Sequence, residues 1–211
     1  MPPEQSQILS MLRKFQWCNW KHDVCRLRFA ELFGFLSDDQ RSTLLQACEL
    51  DESELKSLDA TVPAKEALCS PYRFDIYSRR FVRVDPMLWK AFKRLSSDYQ
   101  KAAGQSLVII SGYRSPAYQS MLYVNELQKH NFDARATRRV IMLPGKSEHQ
   151  SNSRAAIDIA NRGREKSLSD SSYRWLVSHA EQYGFFISYP KTTSHKSMEF
   201  EPWHWHFLLK Q

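Results

Sequence analysis

The segment Glu199-Phe200-Glu201-Pro202-Trp203-His204-Trp205-His206-Phe207 places the strongest demand on how this chain folds. Indoles and imidazoles alternate from Trp203 to His206, so an extended backbone sends indoles to one face and imidazoles to the other. Such a composition suits a metal. Neutral imidazole is a good zinc ligand, a carboxylate that stays off the metal accepts a proton from activated water, and indole walls keep the site dry. One short segment does not supply a full ligand set. The missing donors stand upstream in Ser147-Glu148-His149-Gln150 and Ala156-Ile157-Asp158-Ile159, which add an imidazole and a carboxylate flanked by apolar residues. A fold that satisfies this pattern brings two distant stretches together around a His, Asp, His set.

The 211 residues, 42% of them hydrophobic, suffice for one full domain or for a modest domain with a helical appendage. No apolar run reaches the roughly 18 residues that a membrane-spanning helix requires. The first dozen residues alternate polar and apolar and lack the continuous apolar core of a signal peptide. The expectation is a mature chain, one exported by another route, or a cytosolic one. A formal net charge of +7 favours an anionic partner such as nucleic acid, anionic lipid or a bacterial envelope polymer. The basic clusters at Arg79-Arg80, Arg135 to Arg139 and Arg162 to Lys166 do not interleave with aromatics, which argues against nucleic acid. Cys18, Cys25, Cys48 and Cys69 all lie in the first third of the chain, away from the proposed ligands, and form no paired CxxC. They read either as small buried hydrophobes or as one to two disulfides.

Apolar residues recur at helical spacing from Ile8 through Phe15 and again from Val24 to Leu36. Ser37 with Gln40 forms a capping-box signature for a further helix, and Asp51 to Lys56 begins another. Residues 1–70 therefore read as a helical region and 71–211 as the domain that carries the site. In the latter, short strands are expected at Phe74–Tyr77, Arg80–Val84, Leu107–Ile110, Ala155–Ala160, Phe185–Tyr189 and Trp203–Leu208. Helices are expected from Asp85-Pro86 to Gly104, from Pro116 to Lys129 and from Leu168 to Gly184. A long polar loop spans Asn131 to Ser153. Strands mixed irregularly with helices define an α+β class, with a small antiparallel sheet that bears the site and helices around it.

Five blocks then occur in a recognisable order: Ser111-Gly112-Tyr113-Arg114-Ser115 with Tyr118-Gln119 and Leu122; Pro144-Gly145-Lys146-Ser147-Glu148-His149-Gln150; Ala156-Ile157-Asp158-Ile159; Trp175-Leu176 with His179-Ala180 and Tyr183-Gly184-Phe185; and Glu201-Pro202-Trp203-His204-Trp205. Over about residues 72 to 209 the chain resembles zinc D-alanyl-D-alanine carboxypeptidases of the vancomycin-resistance type, in the wider group that includes lysostaphin and the hedgehog signalling domain. The first 70 residues have no counterpart in that resemblance.

The resemblance implies one Zn²⁺ ion bound by His149, Asp158 and His204, Glu201 as general base, and Arg114 holding substrate or developing negative charge. Gln119 and Ser147 follow as candidates for substrate contact, and Tyr113 or Tyr118 lines the pocket; Trp203 is a further candidate for substrate contact. The chemistry of these residues is consistent with that assignment. Three protein ligands leave a fourth tetrahedral position for water, and the planar guanidinium of Arg114 suits a free C-terminal carboxylate. Two departures from the family pattern stand out. His149 and Asp158 are nine positions apart where the family has seven, with Arg154 in place of a glycine, so a longer loop is expected. His206 occupies a position that is commonly basic in the family and shares a strand face with His204, as a competing ligand or a neighbour of the ligands. His22, His130, His179 and His195 are given no role.

The implied function is removal of the terminal D-alanine from peptidoglycan stem peptides, with the positive charge aiding attachment to an anionic cell-wall polymer. The implied location is the cell envelope or periplasm. Alternatives within the class are an L,D-specific peptidase, a D-Ala-D-Ala dipeptidase, and an endopeptidase lysin, the last consistent with a cytoplasmic, phage-type protein. A different alternative is a wall-binding module that retains zinc without turnover.

Overall fold

Local sequence signals place most helix ends in the computed structural model, which describes residues 2–18, 23–71, 82–150, 154–163, 168–191 and 198–208. In chain order the α-helices are α1 (Pro3–Cys18), α2 (Phe29–Phe33), α3 (Asp38–Ala47), α4 (Glu52–Ala60), α5 (Pro86–Ala103), α6 (Pro116–Lys129), α7 (Ala134–Thr137) and α8 (Asp170–His179). The strands are β1 (Leu107–Ser111), β2 (Arg154–Asn161), β3 (Phe185–Ile187) and β4 (His204–Leu208). The Ser37 hydroxyl accepts the Gln40 N–H and the Gln40 side chain returns the bond, so α3 starts with the expected capping box. Asp85 caps α5 by accepting from the N–H groups of Met87 and Leu88, and Gly104 ends it in a left-handed conformation that costs glycine little.

The described residues divide into two units, 1–63 with 114–150 and 64–113 with 151–211. The helical unit holds α1 to α4 together with α6 and the segment that follows it. In that unit Ile8, Met11 and Leu12 of α1, Phe29, Leu32, Leu44 and Cys48 form one core with Ala117, Met121, Tyr123, Val124 and Leu127 of α6. Cys48 and Cys69 are free thiols, and the burial of Cys48 in the helical core selects the small-hydrophobe reading for that residue. Burial pushes the Cys48 thiol far above its ordinary pKa, so it is inert at neutral pH. The Cys18 side chain, His22, His195 and the strand expected at Phe74–Tyr77 lie outside the described residues.

The other unit is an antiparallel sheet, order β1-β2-β4-β3, packed on helices. This is the α+β arrangement that the sequence implies. Leu107 and Ile109, Ile157 and Ile159, Trp205 and Phe207, and Phe185 point from all four strands into one core, where they meet Leu88, Phe92, Leu95 and Tyr99 of α5 and Leu176 of α8. Alternation sends Asp158, Ala156, His204 and His206 to the opposite face. At the far end of β2, Asn161 donates to the Ser172 hydroxyl at 2.8 Å and accepts the Ser169 N–H at 2.8 Å, while the Tyr99 and Ser172 hydroxyls lie 2.6 Å apart. That buried network ties β2 to the start of α8.

The β1–β2 register carries a bulge: Ile109 pairs with Ile159, but Ser111 pairs with Asp158, leaving Ile110 as the extra residue. Directly beyond it, a Cβ on Gly112 would stand 2.2 Å from the Arg83 carbonyl oxygen, closer than any real side chain approaches backbone. Gly112→Ala is therefore expected to destabilise by more than about 2 kcal/mol, whereas Asp85→Ala, which removes a helix cap, costs about 1 kcal/mol. Urea unfolding followed by tryptophan fluorescence checks both, and equal losses would contradict the steric account.

Candidate metal centre and active site

Asp158 and His204 are directly opposite residues of the antiparallel β2–β4 pair. Opposed side chains in such a pair share a face, and these two meet: His204 Nδ1 lies 3.0 Å from Asp158 Oδ1. Both are buried, with side-chain exposures of 6% and 10%. The strand is kept in place by the core residues on its other face, Trp205 and Phe207. Trp205 is also fixed by its indole N–H, which donates to the Pro202 carbonyl at 3.0 Å.

His149 lies in a single 3₁₀ turn, Glu148–Gln150, and is 4% exposed. His149, Asp158 and His204 each offer a donor atom, and these atoms all lie within 4.8 Å of one another. The nine-residue interval between His149 and Asp158 is thus compatible with a shared site. A tetrahedral ion with bonds of about 2.0–2.2 Å keeps neighbouring donors roughly 3.3–3.6 Å apart, so the observed spread is within a small adjustment of that spacing. Two imidazoles and a carboxylate, all withdrawn from solvent, are the donor types that zinc takes in catalytic sites. The fit is good.

His206 does not belong to this group. It pairs with Ala156 and Phe186, its ring stacks on Phe186 at 5.6 Å, and its Nδ1 lies 3.0 Å from the Ser188 hydroxyl. One step along the strand is enough to separate it from the ligand cluster, since alternate residues on one face stand nearly 7 Å apart at about 3.4 Å per residue.

Glu201 precedes β4 in a turn. Its carbonyl accepts the His204 N–H at 3.2 Å and its own N–H donates to the Tyr189 carbonyl at 3.4 Å. Residues three apart in a regular strand face opposite ways, and the turn at 202–203 takes Glu201 out of the strand that bears His204. Trp203, expected in the strand, also lies in the turn, and the indole–imidazole alternation therefore begins only at His204. Tyr189 is a residue that the sequence did not single out: its ring stands 5.3 Å from the His204 ring. The only signal for it is its place just past β3, opposite the Glu201 turn.

Arg114 and Tyr113 follow the β1 bulge. The Tyr113 N–H donates to the Arg83 carbonyl at 2.6 Å, and the Arg114 N–H donates to the His149 carbonyl at 3.1 Å. Arg114 is thereby tied through its backbone to the residue that offers the first imidazole. Gln119, buried on α6, donates through Nε2 to the Met142 carbonyl at 2.8 Å. The Ser147 hydroxyl accepts the His149 N–H at 3.4 Å. Tyr118 is buried on α6 against Phe15, their rings 6.0 Å apart. His179, to which no role was assigned, stacks on Trp175 at 4.4 Å and donates to the Trp175 carbonyl, an ordinary helix-end arrangement.

A buried His, Asp, His cluster is a donor set of the kind that catalytic zinc sites use. The family model described as VanY, D-alanyl-D-alanine carboxypeptidase, matches residues 82–210, and the chain belongs to that family. Its relatives include the Bacillus subtilis (strain 168) protein YodJ, assigned by name as a carboxypeptidase, at 32% identity over 120 residues, which cover 54% of this chain and 42% of YodJ. Among solved structures, the LdcB LD-carboxypeptidase superposes with a TM-score of 0.56 at 27% identity, covering 72% of each chain. A variant of the vancomycin-resistance D,D-pentapeptidase VanY from a VanB-type cassette, in complex with Zn(II), gives 0.51 at 26% identity, covering 60% of this chain and 73% of that one. The chain spans less than half the length of the curated relatives it matches.

The Asp158–His204 contact predicts a measurable contribution without any metal. Removing the carboxylate takes a hydrogen-bond partner from a buried imidazole, so Asp158→Ala is expected to lower unfolding free energy in excess chelator by about 1–3 kcal/mol, with Asp158→Asn losing less. Unfolding curves in chelator check this, and an unchanged Asp158→Ala would show the pair to be energetically idle.

Proposed function

We propose that this chain is a zinc-dependent carboxypeptidase that releases the terminal D-alanine from peptidoglycan stem peptides. The observation that carries the reading is the convergence of His149, Asp158 and His204 to within 4.8 Å in a buried setting, with Glu201 in the turn three residues before His204. His149, Asp158 and His204 would hold the ion. Zinc bound there would supply Lewis acidity, drawing electron density from the scissile carbonyl and acidifying the attacking water toward a pKa of about 7.

The remaining roles fall to the chain itself. Glu201 takes the proton of the attacking water and delivers it to the departing D-alanine amine, a shuttle that requires a carboxylate free of the metal. Arg114 grips the free carboxylate of the substrate through two parallel N–H donors and so restricts cleavage to the last residue. Gln119 and Ser147, through the bonds described above, shape the loop that presents His149 as well as the pocket wall; Tyr113 and Trp203 are assigned to the wall. The net charge of +7 favours residence against an anionic envelope polymer. No described helix is long and apolar enough to cross a membrane.

The likeness to the LdcB LD-carboxypeptidase favours a second reading, an L,D-carboxypeptidase that trims a tetrapeptide stem. Amino-acid release from the two stems separates the readings: pentapeptide turnover supports the D,D assignment, and turnover of the tetrapeptide alone replaces it with the L,D one. Chelation is expected to abolish release and added zinc to restore it. Glu201→Gln is expected to lose about 10²–10⁴-fold in kcat while keeping its zinc. A parent protein that binds zinc yet releases nothing from either stem would be a binding module instead.

Arg114→Lys keeps the charge but loses the fork, so kcat/KM is expected to fall at least about tenfold. Amidating the substrate's C-terminus should produce a comparable loss in the parent. An enzyme that cuts the amidated peptide equally well would be an endopeptidase.

A further inference from the structure

Backbone groups of the loop that carries His149 are satisfied in part by side chains of the loop itself. Gln150, the residue after the ligand, supplies much of this. Its side-chain Oε1 accepts the Gly145 N–H at 2.7 Å and the Ser147 N–H at 3.3 Å. Its own N–H donates to the Ser147 carbonyl at 3.0 Å. His149 is then held through its N–H, donated to the Ser147 hydroxyl, and through its carbonyl, which accepts the Arg114 N–H. Upstream, the Met142 carbonyl is fixed by Gln119. Gly145 adopts φ +79°, a left-handed conformation that lets its N–H turn inward.

Gln150 is only 7% exposed, and its Nε2 is buried without a hydrogen-bond partner among the described residues. The amide is thus retained for its acceptor and not for its donor. A loop closed through one atom on the residue beside a ligand determines where that ligand's ring is aimed.

We infer that Gln150 is a positioning residue: its amide oxygen clamps residues 145–147 and thereby aims the His149 imidazole at the ion. The inference rests on the zinc reading above. Loss of the oxygen leaves two backbone donors unsatisfied and lets the 3₁₀ turn at 148–150 shift, whereas a metal ligand must stay within about 0.5 Å of its productive place. The expected penalty is that of a broken supporting contact, about 10–100-fold in metal affinity.

The test compares zinc affinity, by competition with a chromophoric chelator, in the parent, Gln150→Met and Gln150→Glu. Gln150→Met fills similar space without an acceptor and is expected to bind zinc about 10–100-fold more weakly. Gln150→Glu, whose carboxyl group burial favours in its neutral form, keeps the acceptor oxygen and puts a hydroxyl where the unpartnered donor stood, so its affinity should stay within about threefold of the parent. At saturating zinc the Met variant should recover most of its kcat, with KM unchanged. A Met variant that binds like the parent, or a Glu variant as weak as Met, overturns the clamp. A parent protein that takes up no zinc overturns the zinc reading first and the inference with it, so the two failures differ. Amide exchange in the unaltered protein gives an independent check: slow exchange at Gly145 and Ser147 supports the clamp, and free exchange at both overturns it.

Discussion

The antiparallel register of β2 against β4 governs the site. With Ile157 opposite Trp205 and Asp158 opposite His204, one face of the pair is apolar and the other carries the carboxylate and imidazole. The period of a strand is two, so a slip of one residue would bury Asp158 in the core and turn Trp205 outward. The site is consequently maintained by residues that never touch it. Ile157, Ile159, Trp205 and Phe207 lie in one core with Phe92 and Leu176, and their burial holds Asp158 and His204 within hydrogen-bond distance.

Around that pair, the other chemical groups lie outside the sheet. The β1 bulge releases Gly112, Tyr113 and Arg114 from the ladder. His149 occupies a one-turn 3₁₀ segment, and Glu201 a turn before β4. Strand residues thus provide fixed ligands, and neighbouring turns provide the groups whose directions a strand does not allow. In the proposed division of labour the sheet supplies two of the three ligands, and loops and turns supply the third ligand, the base and the carboxylate grip.

Much of this was legible where a local signal specifies a local structure. Asp85-Pro86 with Gly104 and Ser115-Pro116 with Lys129 bound α5 and α6, because capping side chains and proline act within one turn of the chain. The alternation in the last segment identified the imidazole-bearing face. Other features are invisible to periodicity. The short helix α7 lies in a stretch read as loop, although Asp133 caps it by accepting from Arg135 and Ala136; a four-residue helix has too few positions to show a period. The expected helix from Leu168 to Gly184 divides into α8 and a 3₁₀ segment, Ala180–Tyr183. The merging of α6 with the N-terminal helices in one core follows from long-range packing, which helical spacing alone does not encode. Likewise Tyr189 and Gln150 matter through what their backbone or amide touches, and residue type gives no hint of that.

The central claim is that His149, Asp158 and His204 share one ion. Anomalous diffraction at the zinc edge, from crystals of the full chain grown with zinc, tests it most directly. The account predicts one zinc peak, bonded to those three side chains at about 2.0–2.2 Å, with His206 still against Ser188. A zinc ion ligated by His206 in place of His204, or zinc-loaded crystals in which the three residues bind nothing, would contradict it.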